Sequence, residues 1–362
     1  MEKYKSNWDE TKKNFTSWWK HEDIGRPLLR IVSKKSKLSE KLEAIEKPKD
    51  LEDKWLNVER RVKEYRNYCK THTFMAEAFP SIDLNIGPGS MSIYLGSEPI
   101  FADTTIWYSQ SVKDWESRGK LIFDENNYWW NKHLRIIKRA KELSNGDFLV
   151  GIPDIQENVD ILSCLRGPQQ LCYDLIDDSY IIQQRVKDID QIYFEYYDAF
   201  YNIVKGEDGS SNYGAFFNCG SGKNAKIQCD FSVFMSPNQF RQIVQPSLIY
   251  QCNKLDNVLY HLDGVDATRH LDAILEIDKI NAIQWVPGSG KSDCGSEEWY
   301  PIYEKILSSK KSLWLYLNQG SMKERVEKVE QIVKTFGTKG FFFCFSDMEE
   351  EEASLFIHKW GI

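Results

Sequence analysis

The chain has 362 residues and a formal net charge of −7 at pH 7, and 41% of its residues are hydrophobic and 28% charged. This composition excludes a disordered or low-complexity chain, and the negative charge disfavours a phosphate backbone, so we expect no nucleic acid partner. No apolar run approaches the roughly 20 residues of a membrane helix, and the first residues lack the apolar core of a signal peptide. We therefore expect a cytoplasmic protein with no membrane association.

The first 75 residues predict a charged helical segment that also contains the first strand. Four aromatic residues recur there at near-helical spacing: Trp8, Phe15, Trp18 and Trp19. A short apolar stretch at 27–32 predicts the strand. We expect residues 1–75 to be an N-terminal helical extension packed on residues 76–362, which complete the same single domain. The Gly/Pro-rich stretch at 86–92 then predicts an irregular insertion.

From about residue 126 the sequence alternates between helical and strand-like segments. The strand-like segment DFLVGIPDI (147–155) follows a long helical run, and Ser236, Pro237 and Gln239 predict a capping box at the start of a later helix. Four strand–helix units follow, with the strands VLYHLDG, AIQWVPG, LWLYLNQ and GFFFCFS. Nearly continuous apolar strands are typical of parallel sheets buried on both faces, which leaves a doubly wound sheet and a closed barrel as alternatives.

The number of strands favours the barrel. Earlier apolar runs bring the count to about eight, and they contain Leu28, Ile82, Phe148 and Ile227. Polar residues also recur at the carboxyl ends of strands, which is where barrel enzymes bind their ligands. These residues are Asp154, Asp230, His261, Asp263, Gln284, Asn318, Cys344 and Ser346. We predict an α/β fold, a (β/α)8 TIM barrel with an N-terminal helical extension.

The segment YHLDG (260–264) carries the sharpest candidate site. Residues two apart on a strand face the same way, so His261 and Asp263 project together at a strand end. An imidazole beside a carboxylate can tune a proton donor, ligate a metal or hold a polar substrate. Cys344, at the end of the last strand, could join His261 in binding zinc. The alternatives are a hydrogen-bonded structural histidine, a helix-capping aspartate and a packing cysteine.

Other strand ends supply further candidates. Asp154 and Asp230 end hydrophobic strands and are expected as polar anchors at the rim of the barrel. Asp160 follows in the next turn, as a site residue or as a helix cap. Gln284 and Trp285 predict a hydrogen-bonding amide and an apolar wall beside the same mouth.

Four segments resemble the uroporphyrinogen decarboxylase superfamily, which includes the decarboxylase itself and the corrinoid-linked methyltransferases. They are PDIQENVDILSCLRGPQQLCYDLIDD (153–178), CDFSVFMSPNQFRQIVQPSL (229–248), YHLDG (260–264) and AIQWVPGSG (282–290). The most distinctive part is Ser236-Pro237-x-x-Phe240 with Pro246. The resemblance spans about residue 27 to residue 362, and it implies a (β/α)8 barrel with its site at the carboxyl ends of the strands.

The two branches of this superfamily imply different sites. The decarboxylase has an Arg-Gln-Ala-Gly-Arg segment after its first strand, whereas this chain has RPLLRIVSKKSK (26–37), so a porphyrinogen lacks its anchor. The carboxylate of the decarboxylase falls on Asp83. The methyltransferases bind zinc through His-x-Cys and a distant Cys; His261 matches the histidine, Asp263 stands at the first cysteine, and Cys344 lies near the second. The implied ligands are therefore His261, Asp263 and Cys344; alternatively no metal binds, and His261 and Asp263 hold the substrate directly.

We accordingly expect a methyltransferase that moves a methyl group between a small substrate and a corrinoid protein or a thiol. Zinc and a corrinoid carried by a partner protein are the implied cofactors, and a homodimer is one option for the assembly. Two alternatives stay open. One is a decarboxylase of a small organic acid, in which Asp83 steadies a cationic intermediate. The other is a ligand-binding or corrinoid-binding barrel without catalysis.

Overall fold

The computed structural model describes residues 1–362. Its strands are β1 (Leu28–Lys34), β2 (His72–Ala76), β3 (Ser81–Ile82), β4 (Pro99–Phe101), β5 (Ile106–Tyr108), β6 (Leu149–Val150), β7 (Ser211–Tyr213), β8 (Asn218–Gly220), β9 (Asn224–Gln228), β10 (Asn257–Asp263), β11 (Ala282–Val286), β12 (Ser312–Leu317) and β13 (Phe341–Phe345). Its α-helices are α1 (Trp8–Trp19), α2 (Leu51–Leu56), α3 (Val58–Thr71), α4 (Met91–Tyr94), α5 (Trp115–Arg118), α6 (Tyr128–Ser144), α7 (Asn158–Arg166), α8 (Pro168–Asp177), α9 (Ser179–Val204), α10 (Pro237–Gln239), α11 (Gln245–Cys252), α12 (Leu271–Leu275), α13 (Tyr300–Ser308), α14 (Met322–Phe336) and α15 (Glu350–Trp360). None of these helices combines the length and the apolar composition that crossing a bilayer requires.

A seven-stranded sheet forms the centre of the molecule, in the order β2-β1-β13-β12-β11-β10-β9. Only the β1–β2 pair is antiparallel, and every other neighbouring pair is parallel. Parallel neighbours require crossover connections, and helices supply them between β10 and β13. The predicted α/β class is confirmed.

Residues between β1 and β9 are joined by shorter pairings. β3 and β6 form a parallel pair of two residues each. Glu77 N donates to Leu29 O of β1 at 2.9 Å, and Ile152 N donates to Asn212 O of β7 at 2.9 Å. Asn224 N of β9 donates to Ser211 Oγ at 3.2 Å. These contacts link β3, β6, β7 and β9 in that order, and Glu77, in the loop between β2 and β3, contacts β1; they do not form one continuous ladder.

Alternation along the strands divides the side chains of the sheet between two faces. One face, which we call the inner face, packs on Phe15, Trp18 and Trp19 of α1 and carries Leu28, Leu259, Ala282, Trp314, Phe342 and Cys344. The opposite face belongs to the main hydrophobic core. The indole of Trp18 donates to Gly340 O at 2.9 Å, next to the start of β13. α1 therefore covers the amino ends of the strands, and the inner face beyond it leads to their carboxyl ends.

The helix predicted from Ser236 forms with its capping box, because the Ser236 hydroxyl accepts from Gln239 N and the Gln239 side chain accepts from Ser236 N. It does not continue as one uninterrupted α-helix. A π-helical turn (Phe240–Val244) separates α10 from α11, which ends at Cys252. Pro246, in the first turn of α11, has no amide hydrogen to continue the α-helical ladder, which accounts for the irregular turn before it.

Candidate active site

The candidate site forms where β9, β10 and β11 end side by side on the inner face. The register aligns Gln228 with His261, and His261 with Gln284. Side chains two residues apart on a strand share a face, so Lys226 and Gln228 point to the same side as His261. Three neighbouring strands thus contribute polar side chains to one recess.

Lys226 lies at the floor of this recess with its side chain fully buried. Its Nζ is 2.8 Å from Asp154 Oδ2, and it also donates to Gln228 Oε1 at 2.5 Å. Burial alone would lower the pKa of Lys226, but the neighbouring carboxylates of Asp154 and Glu157 raise it above its ordinary value. The amine is therefore a charged anchor, because its nucleophilic neutral form is disfavoured.

Asp160 organises the loop that follows β9. One carboxylate oxygen accepts from Asp230 N and from Gln228 Nε2, both at 2.9 Å, and the other accepts from Phe231 N at 2.9 Å. Gln228 Nε2 also donates to Asp230 Oδ2 at 2.7 Å. Asp160 therefore binds a neighbouring loop, and it positions Asp230 at the rim of the recess.

His261 is held in one orientation by Gln284. Its Nδ1 contacts Gln284 Oε1, and because a carbonyl oxygen can only accept, Nδ1 donates and Nε2 carries the lone pair. Burial lowers the pKa of His261, and the Lys226 ammonium lowers it further. The imidazole is therefore neutral at pH 7 with Nε2 free to accept or to bind a cation.

Asp230 and Asp263 complete a cluster around His261 Nε2. Asp263 Oδ2 lies 4.0 Å from Nε2, and single ligand atoms of Asp230, His261 and Asp263 all lie within 4.8 Å of one another. Asp230 stands at the exposed rim, yet the surrounding protein and the Asp160 carboxylate raise its pKa to about 8. One imidazole and two carboxylates fit a divalent metal such as zinc, whose tetrahedral ligands lie about 3.3 Å apart, so the three groups would need to approach one another by up to about 1.5 Å.

Cys344 does not belong to this cluster, which corrects the expected set of His261, Asp263 and Cys344. Its thiol is fully buried among Leu28, Trp314 and Phe342 on the inner face. Burial raises the pKa of the Cys344 thiol well above its ordinary value, so the thiolate that would bind zinc is disfavoured. Cys344 packs within the hydrophobic cluster of the inner face, and Asp230 is the third member of the cluster around His261 Nε2.

Trp285 is not the aromatic wall that its position beside Gln284 predicted. Adjacent residues on a strand point to opposite faces, so Trp285 lies in the main core, where its ring contacts Trp299 with centroids 5.4 Å apart. The aromatic lining comes instead from Trp314, Tyr316 and Phe217, which border a cavity of about 390 Å³ together with Gln284.

A second cavity, of about 420 Å³, lies on the other side of Phe217. Asp83 lines it, and Asn85 Nδ2 donates to Asp83 Oδ2 at 2.5 Å. Asp83 Oδ1 is buried without a hydrogen-bond partner. Burial raises the pKa of Asp83 above its ordinary value. Because Asp83 lines this second cavity, it lies apart from the cluster of Asp230, His261 and Asp263.

The sequence reasoning missed Lys226, Gln228 and Phe217. Lys226 and Gln228 had a visible signal, because polar residues alternate with apolar ones through β9, in the order Asn224, Lys226, Gln228. A lysine inside such a strand needs a buried partner. Phe217 had no signal of this kind, since only the folded chain brings its loop between the two cavities.

The sequence matches no protein-family model and no curated protein. Among solved structures, the chain is similar to a methyltransferase from Methanosarcina mazei, with 11% of residues identical and a TM-score of 0.60. The similarity covers 94% of this chain and 93% of that chain. At this level of identity it shows the fold alone: the chain shares the overall architecture of that methyltransferase over nearly its whole length.

Proposed function

We propose that this protein is a methyltransferase of the uroporphyrinogen decarboxylase superfamily, which moves a methyl group between a small substrate and a corrinoid protein or a thiol. The observation that carries the proposal is the convergence of Asp230, His261 and Asp263 at neighbouring strand ends, beside an aromatic cavity. The architecture shared with the Methanosarcina mazei methyltransferase supports it.

The proposed fold is a (β/α)8 barrel with a helical extension at residues 1–75. Its eight strands would be β1, β3, β6 and β9 to β13, with β7 bridging β6 and β9. The pairing of β3 with β6, the hydrogen bonds from there to β7 and β9, and the bond from Glu77 to β1 support this closure. In such a barrel the carboxyl ends of β9, β10 and β11 form the mouth, where catalytic groups concentrate.

Each group in the recess has a role in this proposal. Asp230, His261 and Asp263 would hold a divalent metal, and a metal bound there would keep a thiol acceptor deprotonated at neutral pH. Gln284 orients the imidazole so that Nε2 faces the carboxylates. The Lys226–Asp154 pair keeps a positive charge below the imidazole, which favours its neutral form. Trp314 and Phe217 would give the substrate an apolar surface in the cavity beside it.

Metal binding and methyl transfer test this proposal. The purified protein should bind about one zinc per chain and transfer a methyl group from methylcobalamin to a thiol. His261→Ala should lose both properties, because it removes the only nitrogen ligand of the cluster. His358→Ala, at an exposed histidine of α15, should retain both. A wild-type protein that binds no zinc after metal-replete purification would contradict the metal site, and absence of transfer to any thiol or corrinoid acceptor would contradict the activity.

Decarboxylation of a small organic acid is the second candidate. It is favoured by Asp83, whose buried Oδ1 has no partner and borders a cavity of its own. The Asp83 carboxylate would steady a cationic intermediate formed by protonation of the substrate. Carbon dioxide would then leave, and the electron pair of the broken bond would neutralise the cation. Release of carbon dioxide from candidate acids, abolished in Asp83→Asn and retained in His261→Ala, would favour this reaction over methyl transfer.

A further inference from the structure

The loop between β7 and β8 lies across the inner face, and we call residues 214–217, with the sequence GAFF, the crossing loop. Gly214 packs against β3, where a Cβ atom added to the glycine would lie 3.3 Å from Ser81 Oγ. On the other side, the indole of Trp314 on β12 donates to Phe216 O at 2.9 Å. Contacts to β3 and β12 therefore hold the backbone of the crossing loop.

The Phe216 ring packs on the polar groups of the site. Its centroid lies 5.6 Å from that of the His261 ring, with the two rings edge to face, and 5.8 Å from Lys226 Nζ. These contacts add β9 and β10 to the strands that hold the loop. Because Phe216 is held on several sides, the position of the next residue, Phe217, is fixed as well.

Phe217 has a backbone conformation that bulky residues rarely adopt. Its φ is 53° and its ψ is 31°, in the left-handed region. Glycine adopts this region freely, whereas a residue with a large side chain is strained there. Such strain persists where the surrounding structure imposes it, and it concentrates at functional sites. The backbone alone would favour glycine, so the phenylalanine ring is the part of this residue that calls for a role.

The Phe217 ring stands between two cavities. The cavity beside His261 has a volume of about 390 Å³ and the cavity beside Asp83 about 420 Å³, and Phe217 is the one residue that lines both. The guanidinium carbon of Arg30 lies 3.9 Å from the centroid of the ring, and Arg30 in turn donates to Phe345 O at 2.9 Å. The ring is therefore held in place as a partition.

We propose that Phe217 is a specificity-determining residue, whose ring confines the substrate to the cavity beside His261. Removing the ring would join the two cavities into one recess of about twice the volume. A ligand long enough to reach both cavities is excluded by Phe217 and admitted when the ring is absent. That the confined ligand is the substrate of methyl transfer rests on the proposed function, whereas the separation of the cavities does not.

The test is a calorimetric titration with two phenols, in the absence of a methyl donor. One is p-ethylphenol, and the other is p,p′-ethylenediphenol, which joins two such rings through a two-carbon chain. A phenol suits the cavity proposed for the substrate, because the amides of Gln284 and Asn318 can hydrogen-bond its hydroxyl while Trp314 packs on its ring. In Phe217→Gly the affinity for the diphenol should rise by about 10-fold or more, since its second ring becomes buried, whereas the affinity for p-ethylphenol should not rise.

Phe234→Gly is the matched control. The Phe234 ring is 65% exposed and borders neither cavity, so this variant should bind both phenols as the wild type does. If Phe217→Gly does not fold, Phe217→Asn carries the same expectation, because asparagine also tolerates a left-handed backbone.

The proposal is overturned if folded Phe217→Gly gains no affinity for the diphenol, or gains no more than it does for p-ethylphenol. An equal gain in Phe234→Gly would also overturn it, and so would failure of both phenols to bind any of these proteins. A gain in Phe217→Gly without methyl transfer by the wild type would retain the partition and reject the proposed function. Methyl transfer by the wild type with unchanged phenol affinities in Phe217→Gly would do the reverse.

Discussion

At the scale of single residues, the buried pair of Lys226 and Asp154 decides the electrostatics of the site. The side chain of Lys226 is 0% exposed and that of Asp154 is 10% exposed, so solvent screens neither charge effectively. Each charge is tolerated because the other is 2.8 Å away. Such a pair contributes little net stability when intact, but it is costly to break on one side only.

Lys226→Met should therefore destabilise the protein by about 3–5 kcal/mol, because it leaves Asp154 as an uncompensated buried charge. Urea unfolding followed by circular dichroism measures the change. The double variant Lys226→Met/Asp154→Asn should lose less free energy of unfolding than the two single variants lose in total.

Lys223→Met is the matched control for that substitution. Lys223 lies on the loop just before β9 and pairs with Asp198 at 2.8 Å, but its side chain is 29% exposed. A pair of this kind should cost about 1 kcal/mol or less to break. Equal losses of unfolding free energy in Lys226→Met and Lys223→Met would show that breaking the buried Lys226–Asp154 pair is no more destabilising than breaking an exposed pair.

At the scale of elements, α9 and α11 are joined through a buried carboxyl group. Asp190 on α9 is 6% exposed, and it accepts from Ser247 Oγ at 2.5 Å and from Gln251 Nε2 at 3.2 Å, both on α11. Burial raises the pKa of Asp190 from 3.8 to about 6. The folded chain thus holds this proton more tightly than the unfolded chain does.

The stabilising effect of that proton is fully present below about pH 4 and is lost as the pH rises through about 6. The amide side chain introduced by Asp190→Asn has no proton to lose. The free energy of unfolding of this variant should therefore equal that of the wild type at pH 4 and exceed it by at most about 3 kcal/mol at pH 7. Unfolding free energies measured across this range test the trend. For Glu195→Gln, at an exposed carboxylate of the same helix, the difference from the wild type in free energy of unfolding should not change with pH. The same lack of pH dependence in Asp190→Asn would contradict the role assigned to the Asp190 proton.

At the scale of the whole molecule, the strands are held by ladders of very different length. β10 pairs with β11 over five residues and β12 pairs with β13 over five, whereas β3 pairs with β6 over two. Opening a short ladder breaks fewer hydrogen bonds and exposes less apolar surface. The region of β3 and β6 should therefore be the least stable part of the proposed barrel.

Hydrogen exchange followed by mass spectrometry should show the slowest exchange in β10 to β13 and faster exchange in peptides that contain β3 and β6. Equal protection of β3 and β12 in the free protein would mean that the short pairs open only with the whole sheet.

Much of the site could be predicted from the sequence, because local periodicity determines which residues of one strand share a face. His261 and Asp263 are two apart on β10, so their common orientation follows from the strand alone. The same rule, applied to Gln284 and Trp285, would have placed the tryptophan on the opposite face. Expecting both residues in the site overlooked the alternation, and the structure buries Trp285 against Trp299.

By itself, the sequence determined the α/β class, the parallel strands from β10 to β13, the capping box at Ser236 and the polar strand ends. These features depend on spacing over a few residues, where propensity and periodicity act directly. Only the tertiary structure decided that Asp230 joins His261 in place of Cys344, that Lys226 pairs with Asp154, and that Phe217 separates two cavities. Those contacts join distant segments, and their geometry depends on how strands align and loops pack, which no local pattern encodes.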